Sequence, residues 1–197
     1  MNIPSLKFID SKSDTLDILL HGGKGGMNQS LSLKIFDACV NQEHPVVSFN
    51  FPFFERGEEQ SSGPELNEEL KTLQTVLGEC KADEYKHVRL IGKSLGGIIA
   101  SRFVSHLTKM DQGKYSVIIF GYVTGDINLN NFNGEITIIQ GEKDKYGNIE
   151  VVKNDLRNAI SKDINYFEIK DADHSYRNEL KEPVFENVAI EVFNKLK

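Results

Sequence analysis

The sequence has only two cysteines, Cys39 and Cys80, so a disulfide framework is not available to it. Both fall on apolar faces of expected helices. Free cysteine there behaves as a small hydrophobe, so buried thiols in a reducing compartment are expected. A cysteine nucleophile is the alternative, but neither residue has a motif around it. An excess of positive charge is also missing: 23 Lys and Arg stand against 29 Asp and Glu, a formal net charge of −6. Binding a phosphate backbone needs concentrated basic surface, so no nucleic-acid partner is expected. No apolar run approaches the ~20 residues that cross a bilayer, so no membrane partner is expected either. The opening MNIPSLKFIDSKSD lacks the basic region and long apolar core of a secretory signal, and the cytoplasm is the expected location. Repeats, low-complexity tracts and a dividing linker are absent too. One domain, 1–197, is expected.

What is there is an alternation of short apolar runs with longer stretches of helical period. LKFID and TLDILL read as strands joined in a first hairpin across the polar SKSD. Leu31, Ile35 and Cys39, four apart, with Phe36 and Val40 beside them, make a helical stripe. PVVSFNF is a β-branched and aromatic strand stopped by Pro52. ERGEEQSSG is a loop. Pro64 suits a first helical position, before a face of Leu66, Leu70, Leu73, Val76 and Leu77 that ends near Gly78. The strand HVRLIG precedes a helix bearing Ile98, Ile99, Phe103, Val104, Leu107 and Met110. YSVIIFGYV and EITIIQG are strands of a buried type. Asn148 caps a helix carrying Val151, Val152, Leu156 and Ile160. INYFEIK is the last strand, and the final helix carries Val184, Phe185, Val188, Ala189, Val192 and Phe193. The class is α/β: a mostly parallel sheet of about seven strands, helices on both faces, right-handed crossovers. TGDINLNNFNG has no helical stripe and reads as a loop, and the chain has no room for a cap domain there.

In such a sheet, ligands gather at the carboxyl ends of the strands. Gly92-Lys93-Ser94-Leu95-Gly96 stands at one of those ends and fits G-x-S-x-G, the strand-serine-helix turn called a nucleophile elbow. The serine backbone is strained so that its hydroxyl points up from the sheet. Side chains two before and two after would collide, which calls for glycine at both places, and Gly97 adds clearance. The Leu95 amide opens a helix, where a free N–H and the helix dipole favour an oxyanion. A serine alone is a weak nucleophile; it needs a base and a group that orients the base.

Five histidines are available. His44 and His87 open strands and belong at the opposite edge of the sheet, and His106 rides on a helix. Only His21 and His174 follow carboxyl strand ends. His21 opens the glycine-rich HGGKGG, which fits half of an oxyanion hole, so it is given the structural role of holding that loop. His174, in KDADHSY, is given the role of base. The orienting acid is sought in QGEKDKYGN, where Asp144 can reach across to the last loop; the order Ser94, Asp144, His174 then matches the elbow's. Glu142 is the fallback and Asp126 a weaker substitute, while Asp171 and Asp173 read as loop hydrogen-bonding residues. Phe51, Phe53 and Phe54 either line an acyl pocket or pack in the core. Lys93 and Lys143 are placed near the mouth, with Arg56 and Arg177 as further candidates there, where they either attract an acidic substrate or serve solubility.

HGGKGG, NFPF, GKSLGG, QGEKD and ADHSY, in that order over 21–176, resemble a small cap-less α/β-hydrolase of the compact dienelactone-hydrolase-like type. The resemblance implies Ser94 as nucleophile, Asp144 as acid, His174 as base, and the amides of Gly23 and Leu95 as oxyanion hole. It implies neither metal nor organic cofactor. The strands fall short of that family's full set of eight, and the cap is missing. The function expected is a serine hydrolase cleaving an ester or thioester of a small or exposed acyl group. The partner is then a small-molecule ester or an acylated substrate, and nothing in the sequence sets an oligomeric state. The alternative is a non-catalytic binding protein that kept the fold; the intact Ser, Asp and His set argues against it. Lipid and peptide substrates are disfavoured, because neither a lid helix nor a peptide-binding domain is visible.

Overall fold

The computed structural model describes residues 5–196, so readings that touch Met1–Pro4 or Lys197 lie outside the described residues. Seven strands are seen: β1 (Leu6–Ile9), β2 (Thr15–Leu20), β3 (Val46–Phe49), β4 (His87–Lys93), β5 (Tyr115–Phe120), β6 (Glu135–Gly141) and β7 (Ile164–Ile169). They form one sheet in the order β1-β3-β2-β4-β5-β6-β7, parallel except for β1. The helices are α1 (Ser30–Asn41), the short α2 (Pro52–Glu55), α3 (Asn67–Glu79), α4 (Leu95–Ser105), the short α5 (Lys109–Gln112), α6 (Ile149–Asp155) and α7 (Glu186–Phe193).

Each central strand is buried on both faces, and its side chains alternate between two cores. Leu90, Val117, Ile119, Ile136 and Ile138 face the side covered by α3, α4 and α6, with Leu73, Val76, Ile99, Val104 and Val152. Ile91, Ile118, Phe120 and Ile139 face the side covered by α1 and α7, with Ile35, Phe36, Ala189 and Phe193. Burying one such side chain contributes roughly 1.5–3 kcal/mol over leaving it exposed. The helices therefore stand on both faces, as their apolar stripes demand.

Several boundaries differ from the sequence reading. No hairpin joins β1 to β2. β1 runs antiparallel to β3, because both edges of β2 are taken by the parallel neighbours β3 and β4. β1 is left as the exposed edge, with Leu6, Phe8 and Ile9 37–42% exposed. Pro64 lies in a turn ahead of α3, which starts at Asn67 because Leu66 adopts a left-handed φ of 53°. α4 ends at Ser105, so Met110 falls on α5 and is 87% exposed. Ile160 lies beyond α6, and Val151, Val184 and Val188 are exposed instead of buried.

The connection from β5 to β6 is the loop expected from its sequence. It buries Ile127, Leu129 and Phe132 where a crossover helix would have packed, and no cap is inserted there. Asn148 caps α6: its side-chain oxygen accepts from the Val151 amide at 3.2 Å. Asn148→Ala is expected to lower stability by about 1 kcal/mol, read as a shift in the urea midpoint with an unchanged slope.

Candidate active site

Three connections meet at the carboxyl end of the sheet. The first is the tight turn between β4 and α4. Ser94 sits there at φ 51° and ψ −110°, a backbone that a side chain rarely adopts and that only the surrounding packing can hold. Its amide donates to Phe120 O at 3.0 Å, which pins the turn to the end of β5. A Cβ on Gly92 would stand 2.5 Å from the Gly96 carbonyl carbon, and one on Gly96 would stand 2.0 Å from Leu20 O. Those two distances are why the flanking positions are glycine.

The second connection follows β6. Asp144 is buried, and its turn is closed by Asp144 N–H to Gly141 O at 3.1 Å and Gly147 N–H to Asp144 O at 3.0 Å. The buried Gln140 braces it, accepting from the Tyr122 amide at 2.7 Å and donating to Gly147 O at 2.6 Å. The third connection follows β7. Tyr176 anchors it by donating its hydroxyl to Ile139 O at 2.6 Å, and Lys143 N–H to Ala172 O at 2.9 Å ties it to the second.

These anchors bring Ser94, His174 and Asp144 into one chain. His174 Nε2 is 2.9 Å from Ser94 Oγ, and His174 Nδ1 is 2.7 Å from Asp144 Oδ2. The other Asp144 oxygen accepts from the Tyr146 amide at 2.9 Å. Burial lowers the pKa of His174 from the usual 6.5; the hydrogen bond that its Nδ1–H donates to Asp144 raises it, and the nearby Lys93 lowers it further. The net direction is down, so the imidazole is neutral at pH 7, with its Nδ1 proton on the carboxylate side and its Nε2 lone pair facing Ser94 Oγ and the Lys93 ammonium.

The glycine loop after β2 lies against the elbow. A Cβ on Gly22 would be 3.8 Å from Ser94 Cβ, and one on Gly23 4.0 Å from Leu95 Cδ2. Neither the Gly23 nor the Leu95 amide has a hydrogen-bond partner among the described residues. His21 holds this loop, as its position suggested. Its Nδ1 is 2.6 Å from Gly22 O, and its Nε2 accepts from the Phe51 amide at 2.9 Å. Burial lowers its pKa, in keeping with a neutral ring that donates at one nitrogen and accepts at the other.

The other candidates fall outside the chain of three. Glu142 is exposed and accepts from the Asp171 amide at 2.8 Å, and Asp126 is exposed. Asp173 accepts from the Ser175 and Arg177 amides, the loop role expected of it. His44 and His87 stand at the far end of the sheet, near Asp17 and Ser116. Phe51 and Phe53 are fully buried around His21 and belong to the core. Arg56 is paired with Glu58 and Glu68, and Lys143 with Asp171 and Glu179. Lys93 is buried rather than at the mouth, because its side chain lies beneath His174. Burial raises both cysteine thiols, Cys39 furthest, with the Asp17 carboxylate adding to it. Among the described residues no cluster of His, Cys, Asp or Glu could hold a metal ion, and no helix is long and apolar enough to cross a membrane.

Sequence reading passed over Tyr146, whose ring meets the His174 ring edge-on at 4.7 Å and is 37% exposed. Only its position two residues after Asp144 could have pointed to it.

The family model described as alpha/beta hydrolase domain matches residues 13–193. The chain belongs to the α/β-hydrolase family. Solved structures of similar fold include an alpha-beta serine hydrolase homologue from Coxiella burnetii, with a TM-score of 0.72 and 16% identity over 97% of this chain and 93% of that one. A lidless a/b serine hydrolase from Xanthomonas campestris has a TM-score of 0.68 and 16% identity over 100% of this chain and 93% of that one. An esterase from Pyrococcus furiosus has a TM-score of 0.68 and 18% identity over 95% of this chain and 82% of that one. No curated protein is significantly similar in sequence. At these identities the structural likeness speaks for the fold. This α/β-hydrolase is a small, cap-less one with seven strands among the described residues.

Proposed function

We propose that residues 1–197 form a single α/β-hydrolase domain that cleaves an ester or thioester by transferring its acyl group to water. The observation that carries this is the hydrogen-bonded chain from Ser94 through His174 to Asp144, 2.9 and 2.7 Å, ending on a serine held at φ 51°. The esterase likeness of the Pyrococcus furiosus structure is consistent with it.

Ser94 Oγ attacks the carbonyl carbon as His174 Nε2 takes the hydroxyl proton. The carbonyl oxygen becomes an oxyanion, and the unengaged amides of Gly23 and Leu95 stabilise it by ~3 kcal/mol each. His174 passes its proton to the departing alcohol or thiol, which leaves an acyl group on Ser94. Water then enters, gives a proton to His174 and attacks the acyl carbon, and the carboxylic acid departs as Ser94 regains its proton. Asp144 stabilises the imidazolium in both halves. No cofactor takes part in these steps. Ser94 and His174 are only half-buried, and no cap covers them, which suits a small ester or an acyl group displayed on a larger partner.

A fluorophosphonate probe is expected to label the folded protein on Ser94 and to leave Ser94→Ala untouched. Because the pKa of His174 lies below 6.5, the acid limb of the labelling rate should have its midpoint below that pH. A folded wild type that takes up no adduct would instead favour a binding protein on a hydrolase fold.

A further inference from the structure

Lys93 stands between Gly92 and Ser94 in the elbow, and it is only 9% exposed. Its stem passes the loop after β2, where a Cβ on Gly22 would meet Lys93 Cγ at 3.5 Å. Its ammonium enters a nook beside Gly121. That residue has a φ of 69°, and an added Cβ there would lie 2.8 Å from Lys93 Nζ and 3.0 Å from His174 Cε1. The Tyr176 ring centre is 6.0 Å away. Among the described residues no carboxylate pairs with this ammonium; the polar atom it reaches is His174 Nε2, at 3.2 Å. The same nitrogen stands 2.9 Å from Ser94 Oγ.

A neutral imidazole whose Nδ1 proton faces a carboxylate has one lone pair left, on Nε2. Two donors converge on it, a hydroxyl and an ammonium, and the charged donor makes the stronger bond. In the fraction of molecules where the ammonium holds the lone pair, the hydroxyl has no base; only the remaining fraction reacts. We propose that Lys93 is a positioning residue of this site: its ammonium competes with the Ser94 hydroxyl for His174 Nε2, so that losing the lysine proton frees the base. This rests on Ser94 acting as nucleophile.

The surroundings place that proton loss in a useful range. Burial pulls the Lys93 pKa down from 10.5 to about 8, against the opposing pull of Asp144 and Asp173. The groups facing the pair are Asp144, Lys145 and Tyr146 from the loop after β6, and Asp173 and Tyr176 from the loop after β7. The loop after β2 brings His21, whose ring nitrogens are both engaged by Gly22 O and the Phe51 amide. The turn after β5 brings Gly121, which does not titrate. An unpaired buried ammonium also acts on His174 through space, lowering its basicity.

The test is the rate at which a fluorophosphonate labels Ser94 in the full chain, followed from about pH 5 to about pH 10 at constant ionic strength. Wild type is expected to rise in two steps, the upper one near pH 8. Lys93→Met, of similar length and uncharged, is expected to rise in one step. Its inflection should stand about one pH unit above the first wild-type inflection, the size of shift a neighbouring charge produces. Between the two wild-type steps this variant should label several-fold faster than wild type. Lys93→Leu should behave alike and serves if the methionine variant does not fold. Variants that keep both inflections overturn the proposal. So does a loss by one constant factor at every pH, which would mean that the side chain only fills space. A folded wild type unlabelled at every pH fails earlier, at the nucleophile reading itself, and Ser94→Ala distinguishes the two failures.

Discussion

Asp144→Asn is expected to cut kcat on p-nitrophenyl acetate by about ten-thousand-fold while leaving KM and the fold nearly unchanged. The cause is which way the new amide must point. One Asp144 oxygen accepts from the Tyr146 amide at 2.9 Å, and the other faces His174 Nδ1 at 2.7 Å. Asparagine can keep the first bond only by presenting its carbonyl to Tyr146, because the reverse would set two donors face to face. Its NH2 then points at His174 Nδ1, which must accept. The imidazole proton moves to Nε2, where it faces Ser94 Oγ and blocks that nitrogen from taking a proton. The residual rate is the part expected from the proposed oxyanion amides of Gly23 and Leu95. Asp144 also raises the His174 pKa, so the acid limb of whatever activity remains should move to lower pH. A variant within tenfold of wild type at every pH would remove Asp144 from the proposed mechanism. A variant that unfolds would be recognised by its urea transition.

The geometry behind that expectation was partly legible in the sequence. Period and turn chemistry are local, and they placed the strand-to-helix turn at Ser94, the cap at Asn148, and Asp144 and His174 in loops after strands. The two-sided burial of Leu90 and Ile91, or of Ile118 and Ile119, followed from continuous apolar runs. What local patterns do not carry is pairing across the sheet. Nothing within LKFID or TLDILL says that β3 stands between them, because strand order is settled by which edges remain free. Asp17 lies within TLDILL and Arg89 within HVRLIG, and nothing inside either run points to the other. In the sheet they meet side by side, Asp17 pairing with Arg89 across β2 and β4, with Arg89 Nε and Nη2 each 2.6 Å from a carboxylate oxygen. Lys93 is the sharper case. A lysine next to a loop serine suggests a solvated charge, yet Lys93 is the last residue of β4, and alternation along that strand puts it on the face of Ile91, buried beside Tyr176 and 3.2 Å from His174 Nε2.

Gly96→Ala tests whether the elbow and the glycine loop are one device. The alanine Cβ would stand 2.0 Å from Leu20 O, 2.6 Å from the Leu20 carbonyl carbon and 2.9 Å from Leu20 Cβ. The first two obstacles are backbone, and Leu20 is held between Phe49 of β3 and Gly92 of β4, so β2 has no direction in which to yield. The start of α4 must move outward and carry the Leu95 amide away from that of Gly23. Overpacking of this kind costs about 1–3 kcal/mol or more, visible as a lower urea midpoint. Drawing one amide off a developing oxyanion should lower kcat a further 100- to 1,000-fold in the fraction that remains folded, an estimate of about that size from single-donor deletions. Gly97→Ala is the control within the same turn. Its Cβ would meet side-chain atoms of Ile119 and Ile127, at 3.0 and 3.3 Å, which can give by a few tenths of an ångström. A smaller loss of stability and a near-normal kcat are expected of it. Equal behaviour of the two variants would mean that contact with Leu20 does not set the spacing of the amides, and the oxyanion hole would have to be sought elsewhere on the rim.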